Sequence, residues 1–176
     1  MMDAKVILQK QLARSLGLDR YVMLLRSDPS SPSFQRICNG YYRIRRNEAW
    51  RRCYYDLFRE AKESALGFKQ ILTDLYRMTG SVEASFASKM LATLDPGKPI
   101  WDQYVLANLG LVLSGKTAEE KLLHAAELYT AIEKWYADYL ATEEARANLQ
   151  IFDRLLPDYA WISDVKKTDC LLWSKR

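Results

Sequence analysis

The chain has 176 residues and a mass of 20.5 kDa, a size that fits one ordinary domain. Hydrophobic residues make up 49% and charged residues 27%, proportions that exclude a disordered or collagen-like chain. The mean hydropathy is −0.28, and no apolar run approaches the roughly 18 residues of a membrane-spanning helix, so we expect no membrane partner. With 7 glycines and 5 prolines, turns are scarce. We therefore predict one all-α domain over 1–176, with about seven to nine helices.

Positive charge is concentrated in one stretch. The whole chain carries a net charge of +4, but the segment from Arg36 to Arg59 holds seven arginines against two acidic residues, a local charge of +5. Such a local excess is typical of a surface that binds a polyanion. The three cysteines form no C-x-x-C pair, so we expect neither a disulfide framework, a structural metal site nor a cofactor. Residues 1–11 lack the pattern of a secretory signal, which makes the cytoplasm the expected location.

The first part of the chain predicts a helix, a loop and a turn. Helical spacing runs from about Ala4 to Leu16, where Gly17 can end the helix, and residues 21–25 continue as a short turn. The next residues, 28–33, are rich in turn formers. Asn39-Gly40 is a second turn, which could close a short β-hairpin near 37–46 with Tyr41–Arg45 as one strand. No other stretch suggests β-structure.

From Asn47 onward, apolar residues recur at helical spacing. The first stripe of these residues consists of Trp50, Cys53, Tyr54, Leu57, Phe58 and Ala61. Later helices are bounded by Gly80, by the segment 95–99, by Gly110 after a short helix from Gln103 to Leu109, by a capping box of Thr117 and Glu120, and by Thr142. A final helix from Val165 to Trp173 closes the domain, and we expect Trp161 and Trp173 to be buried.

Arginines alternate with aromatic residues between Tyr41 and Tyr55. Guanidinium groups suit phosphate oxygens, and aromatic rings can stack on unpaired bases. This pattern selects five arginines as candidate nucleic-acid ligands: Arg43, Arg45, Arg46, Arg51 and Arg52. The alternative is that Trp50 and Tyr54 belong to the core, and that Arg51 and Arg52 are solvated or pair with Asp56 and Glu48 at helical spacing. His124 is the only histidine and lies at an ordinary helical position, so we expect no catalysis through it.

The most informative segment runs from Thr79 to Leu111. It predicts a helix that ends at Gly80, a second helix that contains Lys89, a proline-bounded loop, and Asp102 at the start of a further helix. An aspartate at this position can cap the helix, and the helix dipole keeps its carboxylate ionised. Residues 79–91 and 99–111 together resemble the helix-hairpin-helix DNA glycosylase superfamily, the endonuclease-three-like fold.

The resemblance implies an orthogonal multi-helix domain and a site. In that superfamily a glycine-containing hairpin holds a DNA phosphate through backbone amides, and an aspartate beyond the next helix stabilises positive charge on the sugar as the base leaves. By that likeness, Gly80 would contact phosphate and Asp102 would be the catalytic carboxylate. Lys89 joins the candidate nucleic-acid ligands. The simpler interpretation of Asp102 is a helix cap and nothing more.

The segment also departs from the superfamily. One glycine replaces the usual two in the hairpin, and Glu83 stands where its charge would repel a phosphate. Lyase members carry a nucleophilic lysine near the start of the second helix, where this chain has Ser85. Any activity would therefore be that of a monofunctional glycosylase-like hydrolase without a lysine nucleophile. DNA is the expected partner. The alternative is a non-enzymatic protein that binds another protein through exposed Tyr41, Tyr42, Tyr54 and Tyr55, so burial of these tyrosines distinguishes the two.

Overall fold

A computed structural model describes Lys5 and residues 17–174, and throughout this part of the chain the secondary structure is helical, with no strand. The described helices are α1 (Leu18–Arg26), α2 (Pro32–Tyr41), α3 (Glu48–Ser64), α4 (Phe68–Thr79), α5 (Ala84–Leu94), α6 (Gln103–Leu109), α7 (Ala118–Leu140), α8 (Glu143–Leu155) and α9 (Asp164–Ser174), with a short 3-10 helix at Pro157–Tyr159. The predicted all-α class is confirmed. The predicted first helix lies outside the described residues except for Lys5, which is helical.

Two local predictions near the start of the chain are wrong. The β-hairpin near 37–46 is absent because residues 32–41 form α2, with Asn39-Gly40 inside its last turn. Ser31 caps this helix by accepting a hydrogen bond from the Phe34 amide, and Phe34 and Cys38 bury one face at i, i+4 spacing. Residues 21–25 are likewise not a short turn but part of α1, which starts after Gly17.

Polar caps set several helix starts, and those at Thr117 and Thr142 are predicted from the sequence. Asn47 caps α3 by accepting from the Trp50 amide, and Thr142 caps α8 by accepting from the Ala145 amide. At α7, the Thr117 hydroxyl accepts from the Glu120 amide, and the Glu120 carboxylate accepts in return from the Thr117 amide. Because these caps act within four residues of sequence, the boundaries could be predicted without knowledge of tertiary structure.

Helices α4 and α5 form a helical hairpin around Gly80. Its φ of 72° lies in the left-handed region that favours glycine, and its amide donates to the Tyr76 carbonyl at 2.8 Å. Residues of both helices are buried, among them Leu72 and Leu75 of α4 and Ala87 of α5. The helix–turn–helix order predicted for residues 68–94 is therefore present.

The core places the loop before α6 through Tyr129 of α7. The Tyr129 ring stacks on Phe68 with centroids 3.8 Å apart, and its hydroxyl donates to the Pro99 carbonyl at 2.9 Å. Next along the chain, Trp101 is buried and stacks on Phe68 from 6.4 Å. These contacts hold the residues that precede Asp102.

Helix α9 packs into the domain, with Leu171 and Leu172 buried. The expected burial of Trp161 is wrong, because 55% of its surface is exposed. Its indole lies against the Arg26 guanidinium, 5.9 Å from the ring centre, and donates to the Asp158 carbonyl instead of entering the core. Among the helices within 17–174, none is long and apolar enough to cross a membrane.

Candidate functional site

A cavity of about 670 Å³ opens beside Asp102. Its walls come from the start of α1, the end of α2, the middle of α5, the 100–105 segment and α9. We call it the Asp102 pocket and define it by Tyr41, Lys89, Asp102, Tyr104, Lys166 and Trp173. The pocket brings together Lys89 and Asp102, which were predicted from the segment 79–111, with two charged residues of α9, Lys166 and Asp169.

Asp102 reaches the pocket because the preceding residue is tied to α5. The Trp101 amide donates to the buried Ser88 hydroxyl at 2.8 Å, which folds the loop back against the middle of α5, beside Lys89. Asp102 then caps α6, with Oδ1 accepting from the Tyr104 amide at 2.8 Å. The carboxylate is half-buried and lines the pocket, so the predicted cap is confirmed and the group also faces a cavity.

Lys89 lines the Asp102 pocket and is half-buried. Its Nζ is 5.1 Å from the centre of the Phe86 ring and 5.8 Å from that of Tyr42, distances typical of cation–π contact. Burial lowers the pKa of the Lys89 ammonium below its usual value, and the nearby Asp102 carboxylate opposes that shift. The ammonium is thus held in a partly dehydrated position.

Lys166 of α9 is a site residue that sequence reasoning missed. Only 6% of it is exposed, and its Nζ lies 4.8 Å from the Tyr21 ring centre and 5.4 Å from that of Tyr41. The available signal was Lys166 and Asp169 at i, i+3 spacing in a C-terminal helix that also carries Asp164 and Lys167. That spacing is common on solvated helix faces, so it did not indicate a buried pair.

Asp169 is the second charged residue that α9 contributes. It is 6% exposed, and its Oδ1 accepts from the Tyr136 hydroxyl at 2.5 Å. The Ile100 amide also donates to this carboxylate. Burial raises the pKa of Asp169 to about 6, while Lys166 and these two donors act in the opposite direction. This carboxylate therefore uses much of its accepting capacity within the protein.

Of the five predicted arginines, Arg43 alone lines the Asp102 pocket. It is exposed, with a left-handed φ of 53° just after α2. Arg46 instead forms a 2.6 Å ion pair with Glu83 and lies over the Trp50 and Phe86 rings. Arg45 and Arg52 are exposed and Arg51 is half-buried, with Arg52 at 3.6 Å from Glu48 as the helical spacing allowed. The five arginines therefore do not form one surface around the Asp102 pocket: only Arg43 lines it.

The Gly80 turn is exposed but is not part of the pocket wall. It lies at the start of α5, whereas Asp102 lies beside the middle of that helix. No side chain caps the first turn of α5, so the amide groups there have no side-chain acceptor. Glu83 at this turn is 8% exposed, and Arg46 neutralises the charge that would otherwise repel a phosphate.

The tyrosines near the pocket are mostly covered by the domain itself. Tyr42 is 7% exposed, Tyr54 is fully buried and Tyr55 is 2% exposed, whereas Tyr41 is half-buried in the pocket wall. An exposed tyrosine patch is therefore absent at these four positions. His124 accepts from the Ser114 amide through Nδ1 and is not among the residues that line the pocket.

A larger cavity, of about 980 Å³, lies on another face beside Gly67. Four of its charged residues form ion pairs, Arg77 with Asp74 at 2.9 Å and Lys98 with Glu133 at 2.9 Å, and Lys62, Lys69 and Asp95 also line it. In the part of the chain that is described, no group of three or more residues could hold a metal ion. The Asp102 pocket is the stronger candidate, because Arg43, Lys89 and Asp102, all predicted from the sequence, line it.

Comparisons with protein-family models, curated proteins and solved structures find no match to this chain. The function must therefore be argued from the Asp102 pocket itself.

Proposed function

We propose that this protein binds nucleic acid through a glycosylase-like helix-hairpin-helix and receives an unstacked base in the Asp102 pocket. The observation that carries the proposal is that Asp102, Lys89 and Arg43, each selected from the sequence, line one cavity. Its volume of about 670 Å³ is that of a small-ligand site. The aromatic side chains in its wall offer faces on which a flipped base can stack.

The chemistry that this arrangement supports is hydrolysis of an N-glycosidic bond. Water forms a new bond to the sugar carbon, the carbon–nitrogen bond breaks, and the base leaves with a proton. The Asp102 carboxylate would stabilise the positive charge that develops on the sugar. Ser85 occupies the position of the lyase lysine, so the proposed reaction proceeds without a covalent lysine intermediate.

Phosphate contacts would come from the rim and from the hairpin. Arg43 lines the pocket and is exposed, and Arg45 and Arg52 are also exposed. The hairpin contact would come from backbone amides at the exposed turn of Gly80 and Ser81, since Glu83 and Ala84 at the start of α5 are buried. Burial of Tyr42, Tyr54 and Tyr55 removes the support for the alternative, a protein-binding tyrosine surface.

A salt titration of DNA binding tests the proposal. Fluorescence anisotropy with labelled single- and double-stranded oligonucleotides should detect binding at low salt that weakens linearly on a log–log plot. Arg43→Gln should weaken binding and reduce the slope by about one counterion. Arg77→Gln is the matched control, because Arg77 pairs with Asp74 on the Gly67 face. Absence of binding at the lowest salt concentration would end the proposal.

A further inference from the structure

An amine without an ion-pair partner lines the Asp102 pocket. This amine belongs to Lys89, which forms no ion pair in the part of the chain that the structure describes. Its Nζ lies 5.1 Å from the centre of the Phe86 ring and 5.8 Å from that of the Tyr42 ring. Because no carboxylate holds the group in its charged form by direct contact, the amine can lose a proton and present its lone pair to a ligand in the cavity.

The surroundings of Lys89 favour loss of that proton. Burial is the largest effect and lowers the pKa of the ammonium below its usual value, and the positive charge of Lys166 acts in the same direction. The Asp102 carboxylate acts in the opposite direction. A Cys38 thiolate would also oppose the shift, but burial raises the pKa of this thiol to about 12, so it is uncharged at neutral pH. Desolvation and a neighbouring cation are two features that make a lysine amine nucleophilic.

The aromatic contacts of Lys89 also suit the product of a reaction with an aldehyde. The ammonium gives a proton to water, the neutral amine attacks the carbonyl carbon, and a carbon–nitrogen bond forms. The carbonyl oxygen then leaves as water, so that one ammonium and one aldehyde give one protonated imine and one water molecule. Because the positive charge is kept, the Phe86 and Tyr42 rings that attract the ammonium also attract the imine cation.

The imine cation fits a partly dehydrated position better than the ammonium does. An ammonium carries three N–H donors, whereas a protonated imine carries a single one. Since ring faces are weak acceptors, the imine leaves fewer donors without a good partner. The cavity of about 670 Å³ has room for the rest of the aldehyde, and Ile100, Tyr104 and Val105 contribute apolar surface to its wall. An aldehyde with an apolar group therefore matches the cavity.

We infer that Lys89 captures an aldehyde with an apolar group as a Schiff base in the Asp102 pocket. This activity goes beyond the proposed function, in which no bond forms between a lysine and the substrate. Lys166 and Asp102 act on it through their charges alone, so the inference requires no particular arrangement of these two groups around the ligand.

Reductive trapping with benzaldehyde tests the inference. The full chain is incubated at pH 7 with benzaldehyde and sodium cyanoborohydride, which reduces an imine to a stable amine, and peptide mass spectrometry measures the labelling of each lysine. Lys116 is the internal control, because it is exposed and forms no ion pair with a residue in the described part of the chain. Lys89 should be labelled at least about tenfold faster than Lys116, because a bound aldehyde meets the amine at a high effective concentration.

The concentration dependence gives a second criterion. Labelling of Lys89 should saturate as benzaldehyde fills the cavity, whereas labelling of Lys116 should rise in proportion to the concentration. Labelling of Lys89 that is no faster than that of Lys116, or that does not saturate, overturns the inference.

Variants test the assignment and the charges around it. In a folded Lys89→Met protein the saturable labelling should disappear, whereas Lys116→Met should leave it unchanged. Asp102→Asn keeps an oxygen that can cap α6 but removes the charge that favours the ammonium, so Lys89 should be labelled faster at pH 7 and its pH profile should move to lower pH. Saturable labelling that survives in Lys89→Met, or slower labelling of Lys89 in Asp102→Asn, overturns the inference.

The outcomes separate this inference from the proposed function. Saturable labelling of Lys89 in a protein that binds no DNA at low salt would overturn the nucleic-acid proposal alone. DNA binding by a protein whose Lys89 is no more reactive than Lys116 would overturn the Schiff-base assignment alone.

Discussion

Replacement of Asp102 separates its structural role from its charge. Asparagine keeps an oxygen that can accept from the Tyr104 amide, whereas alanine removes the 2.8 Å cap altogether. Loss of an N-cap to alanine costs about 1 kcal/mol. In a chain of this size that corresponds to a decrease in Tm of about 2–4 °C. For Asp102→Asn the cap is kept and only the interaction of the charge with the helix dipole is lost, about 0.3 kcal/mol, because α6 has only 7 residues.

The assays are thermal unfolding, DNA binding and base release from an oligonucleotide. We expect Asp102→Ala to unfold about 2–4 °C below the wild type and Asp102→Asn to lie near it. Both should bind DNA, and neither should release a base, because the carboxylate charge is absent in both. Base release by Asp102→Asn, or by neither the variants nor the wild type, would refute the catalytic role. An equal loss of Tm in both variants would refute the capping argument.

Four further predictions concern stability. Lys89→Met should raise stability at pH 7, since burial disfavours the charged lysine below its lowered pKa, and this cost disappears only as the pH approaches 10.5. Thr117→Ala should lower the free energy of unfolding, measured with denaturant, by about 1 kcal/mol, because the α7 capping box is lost. Burial raises the pKa of Asp169 from 3.8 to about 6, so the folded state favours its neutral form. As the pH rises from 4 to 6, the stability of the wild type should therefore fall by up to about 3 kcal/mol relative to that of Asp169→Asn. Trp161→Ala should change stability by less than about 0.5 kcal/mol, since the ring is largely exposed.

For each of these four predictions, one result would contradict it. A lower Tm for Lys89→Met at pH 7 would mean that its cation–π contacts outweigh its burial. Thr142→Ala serves as a second cap variant, and no loss in either would contradict the cap argument. Parallel pH profiles for wild type and Asp169→Asn would place that pKa near its usual value. A large loss for Trp161→Ala would imply that the ring is covered by something other than Arg26.

The helices could be predicted where their signals are local. Thr117, Thr142 and Gly110 act on amides and carbonyls within a few residues, so their sequence positions are enough. The Asn39-Gly40 prediction was wrong because that dipeptide also fits the last turn of a helix. The i, i+4 spacing of Phe34 and Cys38 was the stronger signal, since it buries a helical face.

Only the part of the candidate site that comes from one continuous segment, residues 79–111, could be predicted from the sequence. Lys89 and Asp102 are joined by the Ser88–Trp101 hydrogen bond across 13 residues, and a hairpin pattern indicated both. Lys166 enters from a helix more than 60 residues later, and only tertiary packing buries it. The pairing of Arg46 with Glu83, 37 residues apart, is likewise invisible to helical spacing.

Helix α9 follows all the other helices that line the Asp102 pocket and supplies Lys166, Asp169 and Trp173 to its wall. Because it follows every other described element, a nascent chain that has exposed residues up to about 160 already carries Asp102 and Lys89 but lacks the floor that Lys166 and Asp169 provide. A ribosome-bound chain or a proteolytic fragment of this length would leave the cavity open to water on that side. We therefore expect a chain of this length to hold a ligand in the pocket only once α9 has been added and has docked.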